Sequence, residues 1–173
     1  MKTLLFFILS LCINYLNAQE SENTQLLPDG SCVSGNCDNG FGVKKYQDGT
    51  IYIGEWWNDV PSGKGTVIWA DGSIYVGQFI KGLYHGNGTL MNNKEGGALY
   101  IGEFNEDLPD GFGTMFFSNG GFYVGQMKEG TLDGQGYFQH NNGTLEEGLW
   151  KKGQITGDVI FKAENHIKRA TKE

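Results

Sequence analysis

The sequence predicts an all-β protein in which about five β-hairpins stack into one continuous sheet. Glycine supplies 28 of the 173 residues, beside only 3 prolines and 13% aromatic side chains, so neither a collagen-like strand nor a disordered linker fits the composition. A Gly-x-Gly motif recurs at nearly constant spacing, and a turn signal and a Tyr-x-Gly motif recur in the same phase. Such in-phase repetition is typical of a repeat architecture.

Residues 1–18 are predicted to form a secretory signal peptide. Lys2 precedes an apolar run over 4–16, and cleavage would follow Ala18. The alternatives are a membrane anchor and a lipid-modified amino terminus. The run is shorter than the ~20 residues needed to span a bilayer, and Leu11 precedes Cys12 where a lipobox has a small residue. We therefore expect an exported protein, periplasmic or secreted.

The charge balance argues against a basic binding face. The chain has 13 basic and 20 acidic residues, and loss of Lys2 with the signal peptide would leave 12 − 20 = −8. A protein held on nucleic acid or on anionic lipid by electrostatics needs the opposite sign. We expect no nucleic-acid partner and only weak support for membrane lipid.

Residues 19–36 are predicted to be an amino-terminal linker with a cysteine loop. Once Cys12 is removed, Cys32 and Cys37 remain, and an even count in an oxidising compartment favours a disulfide. Closing so short a loop contributes about 2 kcal/mol by the loop-entropy model. A metal pair or redox thiols are the alternatives, but the pair has neither an adjacent histidine nor CxxC spacing.

The repeat domain is predicted over residues 37–161. Its Gly-x-Gly motifs are separated by 23, 23, 25, 23 and 23 residues, and the series ends at the single Gly157. The glycine pairs are Gly40/Gly42, Gly63/Gly65, Gly86/Gly88, Gly111/Gly113 and Gly134/Gly136. The second motif comprises Tyr52, Gly54 and Trp56; Tyr75, Gly77 and Phe79; Tyr100, Gly102 and Phe104; Tyr123, Gly125 and Met127; and the degraded Glu146, Gly148 and Trp150.

Each unit is predicted to be a hairpin because Asp-Gly or Asn-Gly lies between two short runs rich in β-branched and aromatic residues. The two extra residues of the third unit fall between Met91 and Tyr100, so they lengthen a loop and leave the strands intact. Alternation along a strand places Tyr52, Gly54 and Trp56 on one face.

The strand glycines are predicted to admit aromatic rings. Glycine inside a strand costs stability and marks close approach by a large group, and the aromatic side chains are the large groups available. We expect the rings to lie flat over strand glycines as a ladder along one face. A lone hairpin is marginal in water, so neighbouring hairpins must pair.

The motif Tyr-x-Gly-x-(Trp/Phe), followed by Gly-x-Gly and then Asp-Gly, resembles the MORN repeat (membrane occupation and recognition nexus). The resemblance implies an elongated, twisted, single-layer antiparallel β-sheet with its aromatic face on the concave side, serving in protein interaction or assembly. The segment 32–42 is also similar to the start of exported bacterial members. The fifth unit departs from the pattern at Glu146 and Val159, so the array is expected to end there.

The two edges of an open array must be covered or blunted. The Cys32–Cys37 loop is expected to close the first edge. The tail, residues 162–173, carries basic residues around Ile167, and a short helix over the last edge and a disordered tail are both compatible with it.

No catalytic, metal or cofactor site is predicted. The three histidines, His85, His140 and His166, stand apart from any cysteine, and no serine lies in a nucleophile elbow. A loop with four acidic residues has no calcium-loop spacing, which favours a solvated loop. These acidic residues are Glu103, Glu106, Asp107 and Asp110.

Six aromatic residues that do not recur in every unit are the candidates for partner binding, since the scaffold does not require them. They are Trp57, Trp69, Tyr84, Phe112, Phe116 and Phe117. The regular tyrosine column is interpreted as core. The sequence thus predicts a non-enzymatic module that binds another protein or a second copy of itself. Binding of envelope lipid or glycan through exposed aromatics is the alternative.

Overall fold

The computed structural model describes residues 30–162, and these form one open, single-layer antiparallel sheet of twelve strands. The strands are β1 (Ser31–Gly35), β2 (Gly40–Lys45), β3 (Ile51–Trp57), β4 (Val60–Ile68), β5 (Ile74–Ile80), β6 (Leu83–Met91), β7 (Ala98–Asn105), β8 (Leu108–Phe117), β9 (Phe122–Lys128), β10 (Thr131–Gln139), β11 (Leu145–Lys151) and β12 (Gln154–Lys162). Their order in the sheet is their order in the chain. No helix occurs within 30–162, and the predicted all-β fold class is confirmed.

Two kinds of turn alternate along the sheet. The Asp-Gly and Asn-Gly signals lie in the longer loops, where the Gly49 N–H donates to the Tyr46 carbonyl (3.1 Å) and the Thr50 N–H to Asp48 Oδ1 (2.8 Å). The insertion of the third unit lengthens the loop between β6 and β7, as the sequence predicts. The other connections are two-residue turns such as Asn58-Asp59, with φ of 48° and 60°. Two positive φ values are the geometry of a type I′ turn, which matches the twist of paired strands.

The first glycine of four Gly-x-Gly motifs lies in a β-bulge, where the strand register shifts: Gly63, Gly86, Gly111 and Gly134. Gly134 has φ of +113°, in the region that glycine favours, and the β9–β10 register shifts there. A glutamine or glutamate after the Tyr-x-Gly motif covers the bulge. Gln126 Oε1 accepts the Gln135 N–H at 2.8 Å, and Glu103 Oε2 accepts the Phe112 N–H at 3.1 Å. The recurrent Glu/Gln of the repeat therefore satisfies a backbone donor that the bulge leaves unpaired.

The remaining strand glycines form one row that runs across the sheet, and each is paired directly with the next. The row comprises Gly42, Gly54, Gly65, Gly77, Gly88, Gly102, Gly113, Gly125, Gly136 and Gly148. The tyrosine ring of each complete unit lies over two of them. A Cβ on Gly65 would lie 2.6 Å from Tyr52 Cζ, and Tyr52 Oη donates to the Glu55 carbonyl at 2.9 Å. The predicted ladder of rings over glycines is what the structure shows.

The core consists of these rings and their neighbours on the same face, which we call the tyrosine face. Tyr52, Tyr75 and Tyr123 have no exposed surface. Three of the four tyrosines pack edge-on against an aromatic ring of the following unit, at 5.1 Å for Tyr52–Phe79, 5.2 Å for Tyr75–Phe104 and 5.5 Å for Tyr123–Trp150. Edge-to-face pairs at such distances add to the free energy of burial. The core therefore joins neighbouring hairpins.

Backbone hydrogen bonds also join neighbouring units at the two-residue turns. The Gly82 N–H donates to the Pro61 carbonyl and the Gly130 N–H to the Pro109 carbonyl, both at 2.9 Å. Each turn is thus fixed to the strand entry of the preceding unit, and the turns form a continuous line along one margin of the sheet.

The sheet begins earlier than the sequence indicates. Residues 31–35, placed in the linker, form β1 and pair with β2, and a disulfide joins Cys32 to Cys37. All five residues of β1 are exposed, so the cysteine segment is itself the edge strand instead of a loop across the edge. The predicted signal peptide lies outside the described residues, as does the predicted tail beyond Lys162, which ends β12.

Candidate interaction surface

Within residues 30–162, one face of the sheet is covered by buried aromatic rings and the other face is exposed to solvent. The tyrosine face carries the buried rings, and the other face, here called the opposite face, carries the alternate residues of every strand. Of the ten large apolar residues within 30–162 that are more than 40% exposed, nine belong to the opposite face by this alternation. They are Phe41, Trp57, Val76, Ile80, Met91, Ile101, Phe112, Phe116 and Leu149. A solvated face of an antiparallel sheet is ordinarily polar, so this distribution makes the opposite face the candidate interaction surface.

The structure divides the six candidate aromatic residues into two groups. Trp57, Phe112 and Phe116 are 66%, 57% and 41% exposed and lie on the opposite face. Tyr84 is buried on the tyrosine face, with its ring stacked 3.8 Å from that of Tyr75, while Trp69 and Phe117 pack against the core. These three are scaffold residues, because they fill space between rings of adjacent units.

These roles follow from the position of each residue in the repeat. The position of Tyr84 is occupied in other units by Pro109 and Leu132, which are also buried, so burial recurs there while the residue type does not. Trp69 and Phe117 begin the longer loops, at the position where the first unit has the buried Tyr46, so an aromatic residue recurs there and alignment of the units by residue type would have shown it.

The opposite face contains a band without charge. Two adjacent rows of directly paired residues cross β3 to β9, and every member is apolar or threonine. The first row is Ile53, Thr66, Val76, Thr89, Ile101, Thr114 and Val124, and the second is Ile51, Ile68, Ile74, Met91, Leu99, Phe116 and Phe122. None of the fourteen is buried. We call this set the apolar band.

Beside the band, near the two-residue turns, lies a more polar margin. It includes Glu55, Lys64, Gln78 and Asn87 together with the exposed ring of Phe112, and the exposed ring of Trp57 lies beyond them, next to its turn. A shallow depression of about 440 Å³ lies where this margin meets the band, with Phe41, Ile53, Val76 and Gln78 in its lining. The margin therefore combines aromatic anchors with hydrogen-bonding groups.

The acidic residues of the third unit act within the fold. Asp107 Oδ1 accepts the Tyr84 N–H at 2.7 Å, and Asp110 Oδ2 accepts the Glu129 N–H at 3.1 Å. Burial raises the pKa of the Asp107 carboxyl, and the neighbouring Glu106 carboxylate adds to this rise. Within residues 30–162 no three His, Cys, Asp or Glu side chains come together as metal ligands. The Asp107 and Asp110 carboxylates therefore each accept a backbone hydrogen bond within the fold.

The departure of the fifth unit has a local structural effect. Glu146 occupies the position that tyrosine has in the complete units, and only 9% of its surface is exposed. Its Oε2 lies 3.4 Å from His140 Nε2 and accepts no hydrogen bond. The His140 ring packs 4.7 Å from that of Phe138. The ring column thus ends at Tyr123, which packs on Trp150.

The buried phenols make the fold sensitive to alkali. Burial raises the pKa of Tyr46 and of Tyr123 to about 12, and the nearby Asp48 carboxylate adds to this rise at Tyr46, as the Asp133 carboxylate does at Tyr123. Burial raises the pKa of Tyr52, Tyr75 and Tyr100 further. An unfolded tyrosine ionises near pH 10. The unfolded chain therefore loses protons first, so stability is full below about pH 10 and falls as pH rises towards the folded-state pKa.

We expect the urea midpoint of unfolding to be constant between about pH 7 and 9 and to fall steeply above about pH 10. Tyrosinate absorbance should rise together with the loss of circular dichroism. A Tyr123→Phe variant should show a shallower fall, because one phenol with a raised pKa is removed. A midpoint that is unchanged up to about pH 12 in the parent protein would contradict this prediction.

The fold and its surfaces define an all-β repeat protein whose hairpins share one ring-over-glycine design. The MORN repeat model matches residues 52–74, 75–93, 100–122 and 123–145, which together make up half of the chain. The chain belongs to the MORN repeat family. The hairpin of β11 and β12 begins at Leu145, the last matched residue, and continues the same sheet. No curated protein matches this chain.

MORN repeats are commonly modules for interaction with proteins or membranes, and the family is generally non-catalytic. Within the described part of the chain, no helix is long and apolar enough to cross a membrane.

Proposed function

We propose that this protein is an exported, non-enzymatic MORN-repeat scaffold that binds another protein through the margin of its opposite face. The observation that carries the proposal is the exposure of Trp57 and Phe112, two large rings that contribute nothing to the buried core. Aromatic anchors beside hydrogen-bonding groups are the usual composition of a protein-binding hot spot. Export is supported by the amino-terminal sequence and by the Cys32–Cys37 disulfide, which suits an oxidising compartment.

The rigidity of the underlying sheet supports the same proposal. Trp57 ends β3 and is followed by the Asn58-Asp59 turn, whose Asn58 N–H donates to Asn39 Oδ1 at 3.1 Å. Phe112 follows a bulge glycine, and its own N–H is held by Glu103. Anchors on a fixed backbone lose little conformational entropy on binding.

The test is capture of the native partner from envelope and culture fluid by purified, crosslinkable protein. We expect the double variant Trp57→Ala and Phe112→Ala to lose at least tenfold in captured partner while its melting temperature stays that of the parent, since both side chains are exposed. Leu149→Ala, also on the opposite face and 48% exposed, is the matched control and should capture normally. Mass spectrometry of the processed protein should give Gln19 as its first residue.

Equal capture by the parent and the double variant would show that the margin is not the binding site. Membrane lipid is the alternative ligand, and flotation with anionic vesicles examines it directly. Co-flotation that disappears at high salt would favour lipid over protein. The excess of acidic residues opposes that outcome, because binding to anionic headgroups depends on clustered basic residues.

A further inference from the structure

We infer that the apolar band is an interface between two copies of this chain, which pack their opposite faces together as a two-layer sandwich. The inference rests on the proposed function only in treating the molecule as an assembly module, and it concerns a different surface from the Trp57 and Phe112 margin. It begins from the contrast between the two faces of one sheet. The tyrosine face supplies its own cover through rings that lie over glycines, whereas no residue of the described range 30–162 covers the band.

The composition of the band is that of a sheet interior. From β3 to β9 both rows contain only β-branched, aliphatic and aromatic side chains, and Thr66, Thr89 and Thr114 are the only polar members. Seven strands without a charged residue in either row are unusual for a solvated face, which normally alternates with polar residues. Sheets that pack face to face present rows of this kind across a layer about 10 Å thick.

The size of the band suits a dimer. Val76, Ile101, Met91 and Phe116 are 50%, 46%, 41% and 41% exposed, and the other ten members are partly exposed. Two rows across seven strands extend roughly 30 Å by 13 Å at the usual strand spacing and two-residue repeat. A contiguous apolar patch of this size is in the range of the largest patch of a typical monomer, which is often functional. Together with the residues around its rim it can supply the ~800 Å² that each partner buries in a standard interface.

The remainder of the exported chain is a poor cover for this surface. Residues 19–29 and 163–173 contain three large aliphatic side chains between them, Leu26, Leu27 and Ile167. Three side chains do not match a band of fourteen. These flanking residues therefore offer little to cover the band, which favours another molecule.

Charge and shape favour a second copy as that molecule. The margin beside the band carries both signs, with Glu55 on the strand next to that of Lys64 and Glu103 three strands further along, so it attracts neither a strongly basic nor a strongly acidic partner. A second sheet with the same strand spacing and the same twist can match two regular rows along their whole length. A twofold axis makes such a surface complementary to itself.

The experiment is sedimentation equilibrium of the processed, disulfide-intact protein over a series of micromolar loading concentrations. We expect the parent to have twice the mass of the chain and the double variant Val76→Lys and Ile101→Lys to have the mass of one chain. Leu149→Lys, which makes the same change at an equally exposed position outside the band, should remain dimeric. Circular dichroism and melting must match the parent for each variant.

A second pair, Met91→Lys and Phe116→Lys, lies in the other row and serves if the first pair fails to fold. A monomeric parent at high micromolar concentration would overturn the inference, and so would a dimer that survives both pairs, since it would use another surface such as the sheet edges. Insertion of the parent into neutral vesicles through the band would also overturn it. Capture through Trp57 and Phe112 is scored separately, so a monomer that still captures its partner would leave the proposed function standing.

Discussion

Replacing Gly54 by alanine is expected to destabilise the protein by about 3 kcal/mol or more. A Cβ at this position would lie 2.6 Å from the Gly65 Cα, 2.7 Å from the Lys64 carbonyl oxygen and 2.6 Å from Tyr52 Oη. Two of these atoms belong to the paired strand, so relief requires either separation of β3 from β4 or displacement of the Tyr52 ring. The measurement is the urea midpoint and the m-value of unfolding.

The control for this variant is Gly96→Asn. Gly96 lies in the lengthened loop with φ of +77° and nothing within 4 Å of the added Cβ, and asparagine tolerates that conformation. Its cost should stay below about 1 kcal/mol. Equal stability of the Gly54 variant and the parent would mean that the rings do not depend on bare backbone beneath them.

Replacing Tyr75 by alanine is expected to cost about 4 kcal/mol and to divide the array into separately unfolding parts. Tyr75 has no exposed surface, stacks on Tyr84 and contacts Phe79 and Phe104, so its removal empties a site where three strands meet. In an array whose units contact only their neighbours, one weak junction uncouples the two sides. Calorimetry should show a single transition in the parent and two in the variant.

Tyr75→Phe separates the ring from its hydroxyl. The Tyr75 hydroxyl donates to the Gln78 carbonyl at 3.0 Å, so the phenylalanine variant should lose about 1 kcal/mol and keep one transition. If the alanine variant also kept a single transition with a small loss, the coupling between units would reside in the backbone ladder and not in the rings.

The in-phase motifs predict most of this fold because each carries its own physical cause. The Asp-Gly and Asn-Gly pairs specify turns, the two-residue period assigns Tyr52 and Trp56 to one face, and the strand glycines imply rings above them. The two-residue turns were not predicted, because Lys81 and Glu129 with positive φ have no local sequence signal. Glycine beside them and a paired strand on each side impose that conformation.

The candidate surface was only partly predictable. Exposure of Trp57 and Phe112 follows from strand alternation, while Tyr84 looked irregular by residue type and is buried by position. The apolar band depends on register across seven strands, and a register is fixed by bulges as well as by spacing. Since each bulge at a Gly-x-Gly motif adds two residues to one strand, the strand pairing can be traced only once the bulges are located.

The strand order has a mechanical consequence. Every strand is hydrogen-bonded only to its chain neighbours, so tension applied to the two ends would act on the outermost strand first and open its hydrogen bonds one after another. Each strand released adds roughly 30 Å of extended chain, and the units behind it stay folded until their turn comes. We therefore expect a protein built in this way to lengthen in steps under tension and to shorten again as its hairpins re-form.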